Sequence, residues 1–206
     1  MLAEPGSSLD AAAPSLLPDW TIGHVLAHLA RNADSMTWVL ESSERGELVD
    51  RYPGGVERRN RDIEAGAWRP AAEQVADVLA SDRRLDMAVG AHTNWDGRSR
   101  EITGRVIPVG ELLFLRWREV EVHRADLGLG YGPEDWPPEY VRTELGELTM
   151  AWNARRPMGL TGLPSEALSA PEPRRLAWLL GRADIPGLGP AGVFGSPLPA
   201  PPQPSS

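Results

Sequence analysis

The sequence contains no cysteine and no lysine. Without cysteine, the chain has no disulfide, no cysteine nucleophile, and no zinc or iron–sulfur cluster bound through thiolates. Any metal must therefore be held by histidine or carboxylate side chains. All 21 basic residues are arginine, and 29 acidic residues leave a net charge of -8. An acidic chain lacks the electrostatic surface of a general nucleic-acid or membrane-surface binder, so we expect no such partner.

Long apolar runs are absent as well, so no membrane-spanning helix is predicted. The first residues lack a basic segment followed by a continuous apolar stretch, and a secretory signal is not predicted either. We therefore expect a cytoplasmic protein. With 206 residues, 41% of them hydrophobic, the chain is long enough to bury a sizeable core.

Helical periodicity and helix start and stop signals predict a mainly α fold. Helices are expected over residues 22–44, 71–89, 109–127, 139–153 and 174–181, with a charged segment at 58–67 and extended structure at 101–106. The predicted organisation is a flexible lead-in (1–18), a helical bundle (19–130), a small C-terminal subdomain (131–185) and a Pro/Gly-rich tail (186–206).

The segment 109–127 carries ionisable side chains inside its apolar stripe. Projected as a helix, Glu119 and His123 lie at the centre of that stripe, whereas Glu121 lies on the side facing solvent. Residues four apart share one face, so this pair could bind one metal ion. The alternative is a self-satisfied core network, in which Arg116 pairs with Glu119 and Asp126 pairs with His123. The spacing alone leaves both interpretations open.

A third ligand would come from another helix, and the chain has four histidines. On the helix 22–44, His28 lies at the edge of the apolar face, whereas His24 points toward solvent. His92 sits at a helix end, where capping or surface exposure is expected. His28, Glu119 and His123 together form a two-histidine, one-carboxylate set, which leaves the fourth position of a tetrahedral zinc open.

Several stretches resemble the mycothiol-dependent maleylpyruvate isomerase family, a branch of the DinB-like metalloenzymes. They are Ser15 to Asp34, Tyr52-Pro53, Arg59 to Glu64, Arg116 to Leu127, and the segment from Trp178 to Arg182.

The resemblance implies a DinB-like up-down four-helix bundle that binds a divalent metal, usually zinc, through His28, Glu119 and His123. It also implies a small C-terminal α/β or irregular appendage, from which Arg182 reaches the site as a catalytic residue. The sequence departs from the family at its start. Only 18 residues, poor in helical pattern, precede Asp19, so the family's first bundle helix is not predicted here.

The implied function is activation of a small thiol, mycothiol, for addition to an electrophilic substrate. The outcome would be cis–trans isomerisation of maleylpyruvate or transfer of the thiol, carried out by a monomer or homodimer. Two alternatives remain at this point. One is a non-catalytic metal-binding helical module, and the other is a metal-dependent hydrolase that needs no thiol.

Overall fold

The computed structural model of the chain describes residues 9–155 and 162–192. Residues 1–8 of the predicted lead-in and 193–206 of the predicted tail lie outside these ranges. The chain divides into two compact units, and the division falls between His123 and Arg124, inside a helix. The sequence had placed the domain boundary after residue 130, at the glycines that follow this helix.

The first unit contains most of the helices and all the strands of the described residues. Its elements are α1 (Ile22–Glu44), β1 (Val49–Asp50), α2 (Gly55–Ala67), α3 (Ala71–Ala91), β2 (Arg98–Arg100), β3 (Val106–Pro108) and α4 (Glu111–Asp126), whose last turn belongs to the second unit. The prediction of a mainly α fold is confirmed. Within the described residues, no helix is long and apolar enough to cross a membrane.

Helix α1 is the central element of the first unit, and most of its residues are buried. Thr21 caps its N-terminus: the Thr21 hydroxyl accepts a hydrogen bond from the backbone N–H of His24 at 3.3 Å. The helix stops before Gly46, whose φ of 75° suits glycine. Both ends agree with the sequence prediction. The core of this unit joins α1 to α3 and α4, through side chains that include Met36, Leu40, Leu85 and Leu112.

Residues 9–18 correct the expectation of a flexible lead-in, as far as the described residues go. Ala11 and Leu17 are buried, and Pro14 forms a bridge with Thr21. The backbone N–H of Gly23 donates to the carbonyl of Ala11 at 2.8 Å. The segment is held against the start of α1 because these backbone groups supply partners that the first turn of a helix lacks.

The three short strands form one sheet in the order β1-β2-β3. Strand β1 pairs with β2 in parallel, and β2 pairs with β3 in antiparallel fashion. The predicted extended segment 101–106 is wrong in position, because Glu101 to Arg105 forms the turn between β2 and β3. In that turn the N–H of Gly104 donates to the carbonyl of Glu101 at 2.8 Å.

The second unit is helical in its described part, with no strand among residues 124–155 and 162–192. It contains a 3-10 turn (Pro133–Asp135), α5 (Pro138–Ala154), α6 (Ser165–Ser169) and α7 (Glu172–Leu179). Trp152 of α5 and Trp178 of α7 pack with their ring centres 5.2 Å apart.

Candidate metal centre

Three side chains of the first unit converge on one point between α1 and α4. They are His28 of α1 and Glu119 and His123 of α4, and one potential ligand atom from each lies within 4.8 Å of the other two. Oε2 of Glu119 is 2.8 Å from Nε2 of His28 and 3.3 Å from Nε2 of His123. The two imidazole rings are nearly perpendicular, with centres 4.6 Å apart.

The helices explain this convergence. Glu119 and His123 are one turn apart on α4, so their side chains project to the same side. His28 reaches them from the buried face of α1, and its side chain is only 2% exposed. The rings of Trp20 and His28 pack in a T-shaped arrangement, with their centres 5.9 Å apart.

A second contact fixes the tautomer of His28. Nη2 of Arg59, on α2, lies 2.9 Å from Nδ1 of His28. A guanidinium can only donate hydrogen bonds, so Nδ1 must be the accepting nitrogen. The proton of the neutral ring is therefore on Nε2, from which it is donated to Glu119.

The pKa values of two members of the cluster depart from their ordinary values. Burial, reinforced by the nearby His123, lowers the pKa of His28 to about 4. Burial opposes ionisation of Glu119, but hydrogen bonds from His123 and His28 outweigh it and hold the pKa of this carboxyl well below its ordinary value. Near neutral pH, His28 is thus uncharged and Glu119 is ionised.

These residues fit a divalent metal by the chemistry of the donor set. Two imidazole nitrogens and one carboxylate are a common catalytic zinc set. A metal also requires neutral imidazole and ionised carboxylate, which are the forms that His28 and Glu119 already take. One feature opposes binding: if Nε2 of His28 is to be a ligand, its proton must move to Nδ1, which faces the donor Arg59.

Three other residues are placed differently from the sequence expectation. His24 is buried rather than solvated, because its Nδ1 accepts from the backbone N–H of Thr21 at 3.2 Å and its Nε2 lies 3.2 Å from Glu64. Glu121, expected in solvent, is only 8% exposed and accepts from the indole N–H of Trp117. His92 does cap α3, but it is buried and contacts Glu44 at 3.0 Å.

One half of the alternative core network, the pairing of Arg116 with Glu119, is not formed. Arg116 donates to the carbonyl of Leu29 and to Asn32, and it pairs with Asp82 rather than with Glu119. Asp126 accepts from two nitrogens of Arg182.

Arg182 is thus engaged within the second unit. Its Nε and Nη2 lie 3.0 and 3.1 Å from the two carboxylate oxygens of Asp126, and Nη1 donates to the carbonyl of Leu180. All its described contacts are structural, and its catalytic role stays a prediction.

No role is predicted for Arg51, Tyr52 or Arg59, although Tyr52 and Arg59 lie in stretches that resemble the family. Arg51 and Arg59 are each 6% exposed and Tyr52 is 8% exposed. The guanidinium groups of Arg51 and Arg59 lie over the Tyr52 ring, at 5.7 and 5.3 Å from its centre. Arg59 belongs to a charged segment whose sequence is typical of a solvent-exposed helix face. It is buried because the chain turns after α1 and packs α2 against that helix, and no local sequence pattern predicts this packing.

Comparisons with known proteins identify the family of the chain. The sequence model of the mycothiol maleylpyruvate isomerase N-terminal domain matches residues 2–128. The structure is similar to the crystal structure of the mycothiol-dependent maleylpyruvate isomerase, with 26% identity over 85% of this chain and 81% of that chain and a TM-score of 0.73. A histidine-to-alanine mutant of that enzyme matches with 26% identity over 95% and 88% of the two chains and a TM-score of 0.74.

A search of curated protein sequences gives no significant match. The family match spans His28, Glu119 and His123 together with all the helices that carry them. The chain therefore belongs to the mycothiol maleylpyruvate isomerase family, and the two solved structures described above are of a mycothiol-dependent maleylpyruvate isomerase.

Proposed function

We propose that this chain is a zinc-dependent enzyme that uses mycothiol to convert maleylpyruvate to its trans isomer, fumarylpyruvate. The observation that carries the proposal is the convergence of His28, Glu119 and His123 on one point in a chain of this family. Three protein ligands leave one position of a tetrahedral zinc open, which is typical of catalytic sites.

The three side chains would hold the metal, which when bound lowers the pKa of a thiol at the open position. Near pH 7, His28 is already uncharged and Glu119 already ionised, because the pKa values of both lie below that pH, so neither residue would have to release a net proton to bind the metal. The buried surroundings of His28, including Trp20, exclude water from one side of the cluster.

The reaction itself is reversible addition and needs no oxidant or reductant. The thiolate sulfur forms a bond to one carbon of the cis double bond, and the π electron pair moves onto the conjugated carbonyl as an enolate. After rotation about the resulting single bond, the electron pair returns, the C–S bond breaks and the trans double bond forms. The thiol is regenerated, so atoms and electrons balance.

We also propose that Arg182 binds a carboxylate of the substrate, as the family resemblance implies. A guanidinium fork matches a carboxylate in geometry and charge. Two nitrogens of Arg182 already donate hydrogen bonds to Asp126. To bind the substrate, Arg182 would therefore exchange the carboxylate of Asp126 for that of the substrate.

The direct test is turnover of maleylpyruvate by zinc-loaded protein, with and without mycothiol, followed by the absorbance of the product. We expect isomerisation only when metal and thiol are both present. Consumption of thiol with a stable S-adduct would instead indicate S-transfer at the same site. Turnover without thiol would indicate a hydrolase, and no reaction in any arm would indicate a non-catalytic metal-binding module.

A further inference from the structure

The partner of His28 at Nδ1 is unusual for a metal ligand. Histidines that bind metals generally donate the second ring N–H to a carboxylate, a carbonyl or water, and this acceptor holds the ring in the binding tautomer. In this chain the group at 2.9 Å from Nδ1 is the guanidinium of Arg59, which is a donor at any accessible pH. The contact favours the tautomer with its proton on Nε2, which is the nitrogen nearest Glu119.

Arg59 is also incompletely satisfied where it lies. The residue is 6% exposed, its Nη1 donates to Asn60, and its Nε has no hydrogen-bond partner. No carboxylate among the described residues forms an ion pair with it. A buried guanidinium without a carboxylate is costly. Hydrogen bonds to His28 and Asn60 and stacking on the Tyr52 ring hold Arg59 in place, without an ion pair.

Arg59 has space into which it can move. It lines a cavity of about 260 Å³ between α1 and α2. The carboxylate of Asp62, one turn along α2, lines the same cavity and has only a long contact of 3.7 Å with Arg58. If Arg59 leaves His28, its side chain therefore has space in this cavity and a hydrogen-bond acceptor, Asp62, on the same helix.

We propose that Arg59 is a positioning residue that opposes metal binding at His28, and that it moves into the adjoining cavity when the metal site is filled. In the metal-free chain it holds His28 in the tautomer that donates to Glu119. When Nε2 becomes a ligand, the ring proton lies on Nδ1, and two donors would then face each other unless Arg59 leaves. This inference rests on the metal site of the proposed function but not on its reaction.

The test is the zinc affinity of two variants, measured by competition with a chromophoric chelator. Arg59→Met removes every donor and keeps an apolar stem, whereas Arg59→Gln supplies a carbonyl oxygen that can accept from Nδ1. We expect both variants to bind zinc more tightly than the wild-type chain, by about tenfold or more, since partners of this kind change metal affinity by about 10–100-fold. If the role of Arg59 were purely structural, its removal would instead lower the zinc affinity.

The matched control is Arg61→Met. Arg61 lies two residues after Arg59 on α2, is exposed and does not line the cavity, so its removal should leave zinc affinity unchanged. Equal or weaker zinc binding by both Arg59 variants would overturn the proposal, even if the wild-type chain binds zinc and isomerises its substrate. Tighter binding by the variants would support it even if no isomerase activity is found.

A measurement on the unmodified chain covers the case in which the variants do not fold. Nitrogen-15 chemical shifts distinguish the two neutral tautomers of histidine. We expect the ring of His28 to carry its proton on Nε2 in metal-free protein and on Nδ1 after zinc is added. A proton on Nδ1 in the metal-free chain, or an unprotonated Nδ1 in the zinc-bound chain, would contradict the proposal.

Discussion

His24 and His28 lie one turn apart on α1, and their ring nitrogens have different kinds of partner. His24 completes the N-terminal cap by accepting from Thr21, so its function is to stabilise the start of the helix. His28 instead faces Glu119 and His123 across the unit. Two histidines one helical turn apart therefore have different roles: His24 caps the helix, and His28 belongs to the candidate site.

Zinc content should depend on Glu119 and not on its neighbour Glu121. Glu119→Gln replaces an anionic ligand by a neutral amide, so we expect purified protein to lose most of its zinc. Glu121 lies on the same helix and is buried, but it accepts from Trp117, so Glu121→Gln should retain the metal. Elemental analysis of the two variants and the wild-type chain measures this. Equal zinc in all three would exclude Glu119 as a ligand.

The stability of metal-free protein should fall as the pH is lowered from about 6.5 to about 4. The pKa of His28 is lowered from 6.5 to about 4 in the folded chain, so in this window the unfolded chain binds a proton that the folded chain does not. The unfolding free energy then decreases by at most about 1.4 kcal/mol per pH unit. In His28→Gln this contribution is missing, and the profile should be flatter. Denaturant unfolding at several pH values compares the two.

At the scale of elements, the close approach of α1 to the end of α2 depends on a glycine. A Cβ added at Gly23 would overlap the carbonyl oxygen of Ala67 and lie 2.9 Å from Nε2 of Gln74. Gln74 in turn donates to that same carbonyl. A larger residue at position 23 would therefore separate the two helices at the end where α1 begins.

Gly23→Ala should accordingly destabilise the chain by about 1–3 kcal/mol, the usual cost of overpacking. The control is Gly90→Ala in α3, where an added Cβ has nothing within 4 Å. Alanine is a better helix former than glycine by about 1 kcal/mol, so the control should be neutral or stabilising. Thermal unfolding of both variants gives the comparison, and a stable Gly23→Ala protein would contradict the packing argument.

The elements that could be predicted from the sequence are those with local signals. Helix α1 has a capping threonine and a terminal glycine, and its bounds were predicted correctly. Strands β1 and β2 are two and three residues long, too short to show alternation, so only tertiary pairing defines them. Periodicity placed His28 and Glu119 correctly toward the interior. It misplaced His24, because helix capping overrides the position of a residue on the apolar face.

At the scale of the whole molecule, metal binding should stabilise the folded chain. A ligand that binds only the folded state adds about 2.7 kcal/mol when present at 100 times its dissociation constant. We expect added zinc to raise the unfolding temperature and a chelator to lower it again. The Glu119→Gln variant should show no such shift, which separates specific binding from weak binding at surface carboxylates. A shift of equal size in that variant would place the stabilising metal elsewhere.

Local sequence patterns predict only the class of the fold. Its finer organisation is predicted only through the resemblance to the family. The chain was expected to be mainly helical, and it is. The burial of Arg59 depends on the path of the chain between α1 and α2, which no local signal fixes.

The hydrogen bond between Arg59 and His28 has a consequence for how the two neighbouring sites communicate. If this contact must break before His28 binds metal, any acid that draws Arg59 into the cavity strengthens metal binding. Thermodynamic reciprocity then requires the metal to strengthen binding of that acid by the same factor. The contact would thus make metal and cavity ligand positively cooperative, without either one touching the other.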